Sequence, residues 1–125
     1  MKPALVASTV FIATGLAEFV PVNFTNPLNW LASQALMERK TGEDLRAPYK
    51  NFTAETWAAY VLNACKSTNY GCTSALGFSM PLQFRGSGDR EWYGQMFSGN
   101  STTEADYVRQ EVIQDSIAYT LSQDK

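Results

Sequence analysis

Carboxylates are the only side chains in this chain that suggest acid–base catalysis, because its 125 residues include no histidine. Two pairs lie close in sequence, Asp89 with Glu91 and Glu104 with Asp106. Residues two apart on a helix or a strand cannot flank a substrate as the two carboxylates of a glycosidase must. The serines have no histidine partner and no G-x-S-x-G setting. The sequence therefore predicts that the protein is not an enzyme.

The chain contains two cysteines, Cys65 and Cys72, whose spacing is too wide for a redox Cys-x-x-Cys motif. Two thiols without a histidine cannot complete a zinc site, and the identity of any cofactor stays open. Two interpretations remain, a disulfide that closes a short loop and two unrelated buried thiols. An oxidising compartment, which the N-terminal segment indicates, favours the disulfide.

The charge pattern argues against a nucleic-acid partner. The formal net charge is −2, and the lysines and arginines are scattered along the chain without forming a block. A nucleic-acid-binding protein normally carries a basic stripe that contacts phosphates. We therefore expect no nucleic acid among the partners.

The N-terminal segment, residues 4–22, is the strongest indication of where the protein resides. It includes one charged residue, Glu18, and an uninterrupted run of apolar and small polar residues from 4 to 17. Its nineteen residues nearly match the length of about 20 that a transmembrane helix needs. We expect residues 1–22 to form a membrane anchor, followed by one small domain over residues 23–125.

Small residues recur every four positions along this segment, at Thr9, Ala13 and Ala17. On a membrane helix such a stripe allows a second helix to approach closely, so we expect it to form a helix-packing interface. Glu18 is an ionisable group in an apolar setting, and two interpretations stay open: it contacts a cofactor or a partner, or it lies in water at the membrane interface.

Two other interpretations of the segment remain open. A fourteen-residue apolar run also fits a signal peptide, with Gly15 and Ala17 as the small residues before a cut that precedes Glu18. The same run could form a core element of a soluble protein. Lys2 precedes the segment and no cation follows it until Arg39. The positive-inside rule then predicts the N-terminus inside and residues 23–125 on the extracytoplasmic side, the compartment that a signal peptide also gives.

Three helices are expected after the segment. Asn26 and Gly42 mark the ends of the first, which covers residues 26–42. The second extends from Thr53, its cap, to about Lys66, and the third covers residues 102–122 after a Ser101-x-x-Glu104 capping box.

Residues 73–100 show no helical period and are rich in glycine, serine and aromatic residues. Apolar residues alternate through part of this segment, at Leu76, Phe78, Met80, Leu82 and Phe84. That alternation predicts a half-buried strand, and Pro81 favours an edge position or an extended segment outside a sheet. We expect an irregular aromatic-rich segment between the second and third helices.

Three Asn-x-Thr sequences are present, and they would matter only in a eukaryotic secretory compartment. They are Asn23-Phe-Thr, Asn51-Phe-Thr and Asn100-Ser-Thr.

These patterns together predict a mainly α-helical, single-pass membrane protein. Its expected function is that of a non-catalytic accessory subunit in a larger membrane assembly, such as an energy-transducing complex. Its expected partners are the other membrane-protein subunits and the lipid bilayer. Two alternatives are a secreted binding protein or effector released by cleavage near Ala17 and a soluble structural component of a particle or filament.

Overall fold

The computed structural model of the protein describes residues 18–68, 71–82 and 89–122. In chain order the elements are β1 (Phe19–Pro21), β2 (Trp30–Ala32), α1 (Gln34–Met37), β3 (Lys40–Pro48), α2 (Ala54–Ser67), β4 (Cys72–Pro81), β5 (Arg90–Ser98), β6 (Tyr107–Arg109) and β7 (Gln114–Leu121). Single turns of 3-10 helix cover Tyr49–Asn51 and Glu104–Asp106. The expected mainly α-helical fold is therefore wrong, because the described chain is mainly β.

Five strands form one antiparallel sheet in the order β1-β7-β4-β5-β3, and β2 pairs with β6 in a small second sheet. β4 is a central strand that hydrogen-bonds to β5 on one side and to β7 on the other. The expected edge position of this strand is wrong, although its strand character is confirmed. Pro81 is tolerated because it is the last residue of β4.

Side chains alternate between the two faces of the large sheet, and each face has its own core. On one face Ala75, Trp92 and Met96 pack against Trp57 and Val61 of α2. The opposite face packs against the small sheet and α1 in a sandwich-like arrangement. The buried side chains of this second core are Trp30, Leu36, Leu76, Phe78, Phe97, Tyr107, Ile113 and Ala118.

Helix α2 confirms the second expected helix. The Thr53 hydroxyl accepts a hydrogen bond from the backbone N–H of Thr56, and the Thr56 hydroxyl accepts one from the N–H of Thr53, which completes a capping box. Near the other end of the helix, Cys65 forms a disulfide with Cys72 at the start of β4. The disulfide therefore ties α2 to the central strand of the sheet.

The first expected helix is wrong, because residues 26–42 contain β2, the single turn α1 and the start of β3. Tertiary contacts override the helical period here. The backbone N–H of Trp30 donates to the Ser116 hydroxyl at 2.9 Å, and that hydroxyl donates to the Trp30 carbonyl at 2.8 Å. These two bonds join the small sheet to β7 and hold Trp30 in extended backbone.

The third expected helix is also wrong, since residues 107–109 and 114–121 are strands. The residues of β7 that the small sheet covers are small or polar, namely Ser116, Ala118 and Thr120. Ile117, Tyr119 and Leu121 alternate with these residues, which is the period of a strand, and the helical interpretation missed that signal. The expected Ser101-x-x-Glu104 capping box is wrong, because the Ser101 hydroxyl donates to the Leu121 carbonyl, whereas Thr103 and Asp106 cap a single 3-10 turn.

The end of the N-terminal segment forms a strand and not a helix. β1 lies at the edge of the large sheet and pairs in register with β7, Phe19 opposite Leu121. Among the described residues, no helix has the length and apolar character required to cross a bilayer. The predicted single-pass membrane placement is therefore wrong, because Phe19 and its neighbours satisfy their backbone groups in the sheet.

A chain of buried hydroxyl groups lies where β4, β7 and the small sheet meet. The Ser74 hydroxyl is 2.9 Å from that of Thr120 and 3.2 Å from that of Thr102, which lies 3.0 Å from the Tyr107 hydroxyl. Burial raises the pKa of Tyr107 to about 12, above its ordinary value of 10.0, although the hydrogen bond with Thr102 opposes the shift.

This raised pKa predicts a loss of stability at alkaline pH. Above pH 10 the unfolded chain loses the Tyr107 proton while the folded chain retains it up to about pH 12, so the free energy of unfolding falls as pH rises. Urea unfolding measures the free energy of unfolding at pH 8 and at pH 11. Its decrease between the two pH values should be about 1.4 kcal/mol smaller in Tyr107→Phe than in the parent protein. Equal losses in the two proteins would contradict the assignment, because every other titrating group is common to both.

Candidate functional site

An apolar cleft of about 390 Å³ lies beside the small sheet, where one face of the large sheet is left uncovered. Phe78, Tyr93 and Gln95 form its floor, and residues of the small sheet, α1 and the turn before β7 form its wall. The full lining consists of Leu31, Ala32, Met37, Asp44, Phe78, Met80, Tyr93, Gln95, Gln110, Val112 and Ile113.

The floor is a row of side chains aligned by strand register. Tyr93 on β5 lies opposite Arg46 on β3 and opposite Phe78 on β4. The rings of Phe78 and Tyr93 stack with centroids 5.9 Å apart and an interplanar angle of 12°. The Arg46 guanidinium lies 5.0 Å from the centroid of the Tyr93 ring. This row presents a flat, largely aromatic surface to the cleft.

The hydroxyl of Tyr93 remains protonated near neutral pH. Desolvation, followed by the negative charge of Glu91, raises the pKa of Tyr93 above its ordinary value, while the Arg46 guanidinium opposes the shift. A hydrogen bond with the Glu91 carboxylate also raises this pKa, so the hydroxyl proton is engaged within the protein.

Two apolar side chains of the wall are exposed to solvent. Met37 is 38% exposed and Val112 is 48% exposed, whereas Ile113 beside them is buried. Isolated exposed apolar residues are common on protein surfaces, but these two line the same concave site with further apolar residues. The combination is typical of a ligand-binding cleft.

A polar network holds the wall in place. The Arg90 guanidinium donates to the carbonyls of Ser79 and Val112, each at 2.9 Å, and to the Ser79 hydroxyl at 3.0 Å. That hydroxyl is fully buried and donates to the Asp115 carboxylate at 2.7 Å. Arg90 thus links β5, the end of β4 and the turn that positions Val112.

Asp115 reaches this network because the β-ladder between β4 and β7 is irregular at that point. The register shifts between the pairs that involve Gly77 and Ser79, and Asp115 has a φ of 65°. Aspartate tolerates this left-handed conformation better than most residues. The carboxylate also accepts a hydrogen bond from the Tyr49 hydroxyl at 3.2 Å. Desolvation, with the Asp115 charge as the next cause, raises the pKa of Tyr49.

The two carboxylate pairs singled out in the sequence do not form one site, since Asp89 and Glu91 line a cavity that Glu104 and Asp106 do not line. Glu91 forms an ion pair with Arg46 at 2.8 Å, and Glu104 accepts a hydrogen bond from the backbone N–H of Thr25 at 2.6 Å. Asp106 accepts one from the N–H of Thr103 at 2.9 Å. Across the described residues, no group of three potential metal ligands comes together.

The expected disulfide between Cys65 and Cys72 is present. Glu18 lies at the exposed start of β1, and its carbonyl accepts a hydrogen bond from the N–H of Ser122 at 2.8 Å. A role for its carboxylate in binding a cofactor or a partner stays a prediction. The expected helix-packing residues Thr9, Ala13 and Ala17 lie outside the described part of the chain.

A second, more polar cavity of about 650 Å³ lies at the end of the large sheet and includes Arg46, Lys50, Asp89 and Glu91 in its lining. Leu82 and Asp89 in its lining flank residues 83–88 in sequence, which are outside the described ranges. The apolar cleft is the better candidate, because most of its lining residues are apolar.

Comparison with protein-family models, with curated proteins and with solved structures gives no match to this chain. A function must therefore be inferred from the chemistry of the cleft.

The residues of the cleft could not be identified as a site from sequence patterns. Alternation places Phe78 and Met80 on one face of a strand, but nothing local indicates that this face meets Tyr93 and Val112. The available signal is the alternation in residues 90–97, where the small-sheet face carries Tyr93, Gln95 and Phe97.

Proposed function

We propose that the protein is an extracytoplasmic, non-catalytic binding protein whose cleft takes a small, mostly apolar ligand. The observation that carries this proposal is the concave site itself, with an aromatic floor and a wall of exposed apolar side chains. Its volume of about 390 Å³ lies within the usual range of about 300 to 1,000 Å³ for small-molecule sites.

The composition of the cleft narrows the class of ligand. Phe78 and Tyr93 offer a surface on which a planar ring can stack. Gln95 and Gln110 supply amide groups that can hydrogen-bond to one or two polar atoms. The carboxylate of Asp44 is already 2.9 Å from the Lys40 ammonium, so its charge is compensated within the protein. These features favour an uncharged ring compound with few polar atoms over an ionic ligand.

The extracytoplasmic placement is supported by the disulfide and by the N-terminal sequence. Disulfides persist in oxidising compartments, and the segment before Glu18 has the length and small residues of a signal peptide. β1 begins at Phe19, so cleavage after Ala17 would retain each described element. The single-pass membrane placement on which the accessory-subunit interpretation depended is contradicted, since residues 19–21 of the expected anchor form a strand, and we therefore favour the secreted alternative.

Binding of N-phenyl-1-naphthylamine, a neutral fluorescent ring compound, tests the proposed cleft. We expect saturable fluorescence enhancement with the parent protein and at least a tenfold higher Kd with Val112→Asp, because the carboxylate would place a charge on the apolar wall. Fluorescence titration at neutral pH measures both constants.

Val108→Asp is a matched control. Val108 is 47% exposed, against 48% for Val112, but it lies on β6 outside the cleft. We expect it to bind the dye like the parent protein, and circular dichroism should show that both variants fold. Equal affinity in all three proteins, or no saturable binding by the parent, would refute the proposal.

A further inference from the structure

None of the asparagines in the three Asn-x-Thr sequences lines the cleft, and the fold leaves all three at the surface. Asn23, Asn51 and Asn100 are all exposed. None of their side-chain amides makes a hydrogen bond to another described residue. Asn29, which is not in such a sequence, differs because its side chain is 2.6 Å from the Arg109 guanidinium.

All three asparagines lie just outside regular strands. Asn23 follows β1 by two residues, Asn100 follows β5 by two residues, and Asn51 ends the 3-10 turn before α2. A large group attached at any of them would therefore project from a connection into solvent, with no need to break a β-ladder.

Two of the three threonines in these sequences have hydroxyl groups that the folded protein uses. The Thr53 hydroxyl caps α2, and the Thr102 hydroxyl belongs to the buried chain with Ser74 and Tyr107. A transfer that needs the threonine must therefore precede folding, whereas the modified asparagine stays outside the core afterwards. Modification and folding are compatible in that order.

The three positions also leave the cleft open. None of them lines it, and Asn51 and Asn100 lie at opposite ends of the large sheet because β3 and β5 are antiparallel. Groups attached there would cover other parts of the surface and leave Met37 and Val112 accessible.

We propose that Asn23, Asn51 and Asn100 carry N-linked oligosaccharides that are added in a eukaryotic secretory compartment. The donor is an oligosaccharide linked to a lipid diphosphate. A bond forms between the asparagine Nδ2 and the anomeric carbon, the bond from that carbon to the phosphate oxygen breaks, the lipid diphosphate leaves, and Nδ2 loses one proton. This inference rests on the extracytoplasmic placement proposed above.

The experiment is an intact mass measurement on the protein from its native source, before and after digestion with a peptide amidase that removes N-linked glycans. In water enriched in oxygen-18, this digestion converts each glycosylated asparagine into a labelled aspartate. We expect three labelled residues, Asp in place of Asn23, Asn51 and Asn100, in a chain that begins at Glu18.

Single Asn→Gln variants expressed in the same source cells should each remove one glycan from the mass ladder. Asn63→Gln is the matched control, since Asn63 is exposed on α2 but is not followed by threonine or serine at the required position. An unmodified chain that begins at Glu18 would overturn the glycosylation and leave the placement intact. An unmodified chain that begins at Met1 would overturn both.

Discussion

We expect Trp57→Ala to lower the free energy of unfolding by about 4 kcal/mol, the usual loss for a large buried aromatic side chain. Trp57 is 1% exposed and lies between α2 and the large sheet. Its ring packs against those of Phe52 and Trp92, and its indole N–H donates to the Tyr93 carbonyl at 2.6 Å. Truncation would leave a cavity beneath the floor of the cleft and remove the hydrogen bond to the Tyr93 carbonyl.

Urea unfolding followed by far-UV circular dichroism measures this effect. Trp57→Phe retains most of the packing but loses the indole donor, and we expect an intermediate loss of about 2 kcal/mol. Asn63→Ala, at an exposed position of the same helix, should change the free energy by about 0.5 kcal/mol or less. A loss below about 1 kcal/mol in Trp57→Ala would show that the helix does not pack as described.

The second large effect is expected at Gly94, where β5 passes directly under α2. A Cβ at this position would collide with the side chain of Val61 and would lie 3.4 Å from the Cβ of Leu45. We expect Gly94→Ala to cost about 2 to 3 kcal/mol by overpacking. Val61→Ala alone should cost about 2 kcal/mol through lost burial and a cavity. In the double variant the new methyl group occupies the space that Val61 vacated, so the combined loss should be at least about 1 kcal/mol smaller than the sum.

Gly71→Ala provides the control for this cycle. Gly71 has a φ of 74°, and a Cβ added there would meet no neighbouring atom within 4 Å, so its substitution acts through backbone strain alone. The loss of unfolding free energy in Gly71→Ala should add to the loss in Val61→Ala without coupling. Strict additivity between Gly94→Ala and Val61→Ala in urea unfolding would show that the two residues are not in contact.

The sequence predicted the elements whose signals are local. α2 has a cap, an apolar face and a clear end, and the disulfide was one of two interpretations that the cysteine spacing left open. The alternation of apolar residues in β4 likewise predicts a strand. The first helix was wrong because Trp30 is held in extended backbone by Ser116, 86 residues away, which no local pattern reveals. The third was wrong because the helical interpretation overlooked the alternation in residues 116–121.

The cleft could not be predicted from the sequence, because contacts between residues distant in sequence form it. Its floor comes from β4 and β5 and its wall from β2, α1 and the turn before β7, so it exists only after the small sheet has packed on the large one. The helical period would place Asp115 on an outer face, whereas the bulge in β7 turns its carboxylate toward Ser79. Local sequence does not specify which residues a bulge brings together.

The strand order also determines when the protein can fold during its synthesis. β7 lies between β1 and β4, so neither of those strands has its partner on that side until residues 114–121 have left the ribosome. Strand pairing over such separations is slow, because a long loop must close first. The large sheet is therefore completed only near the end of translation, although β3, β4 and β5 can pair before then.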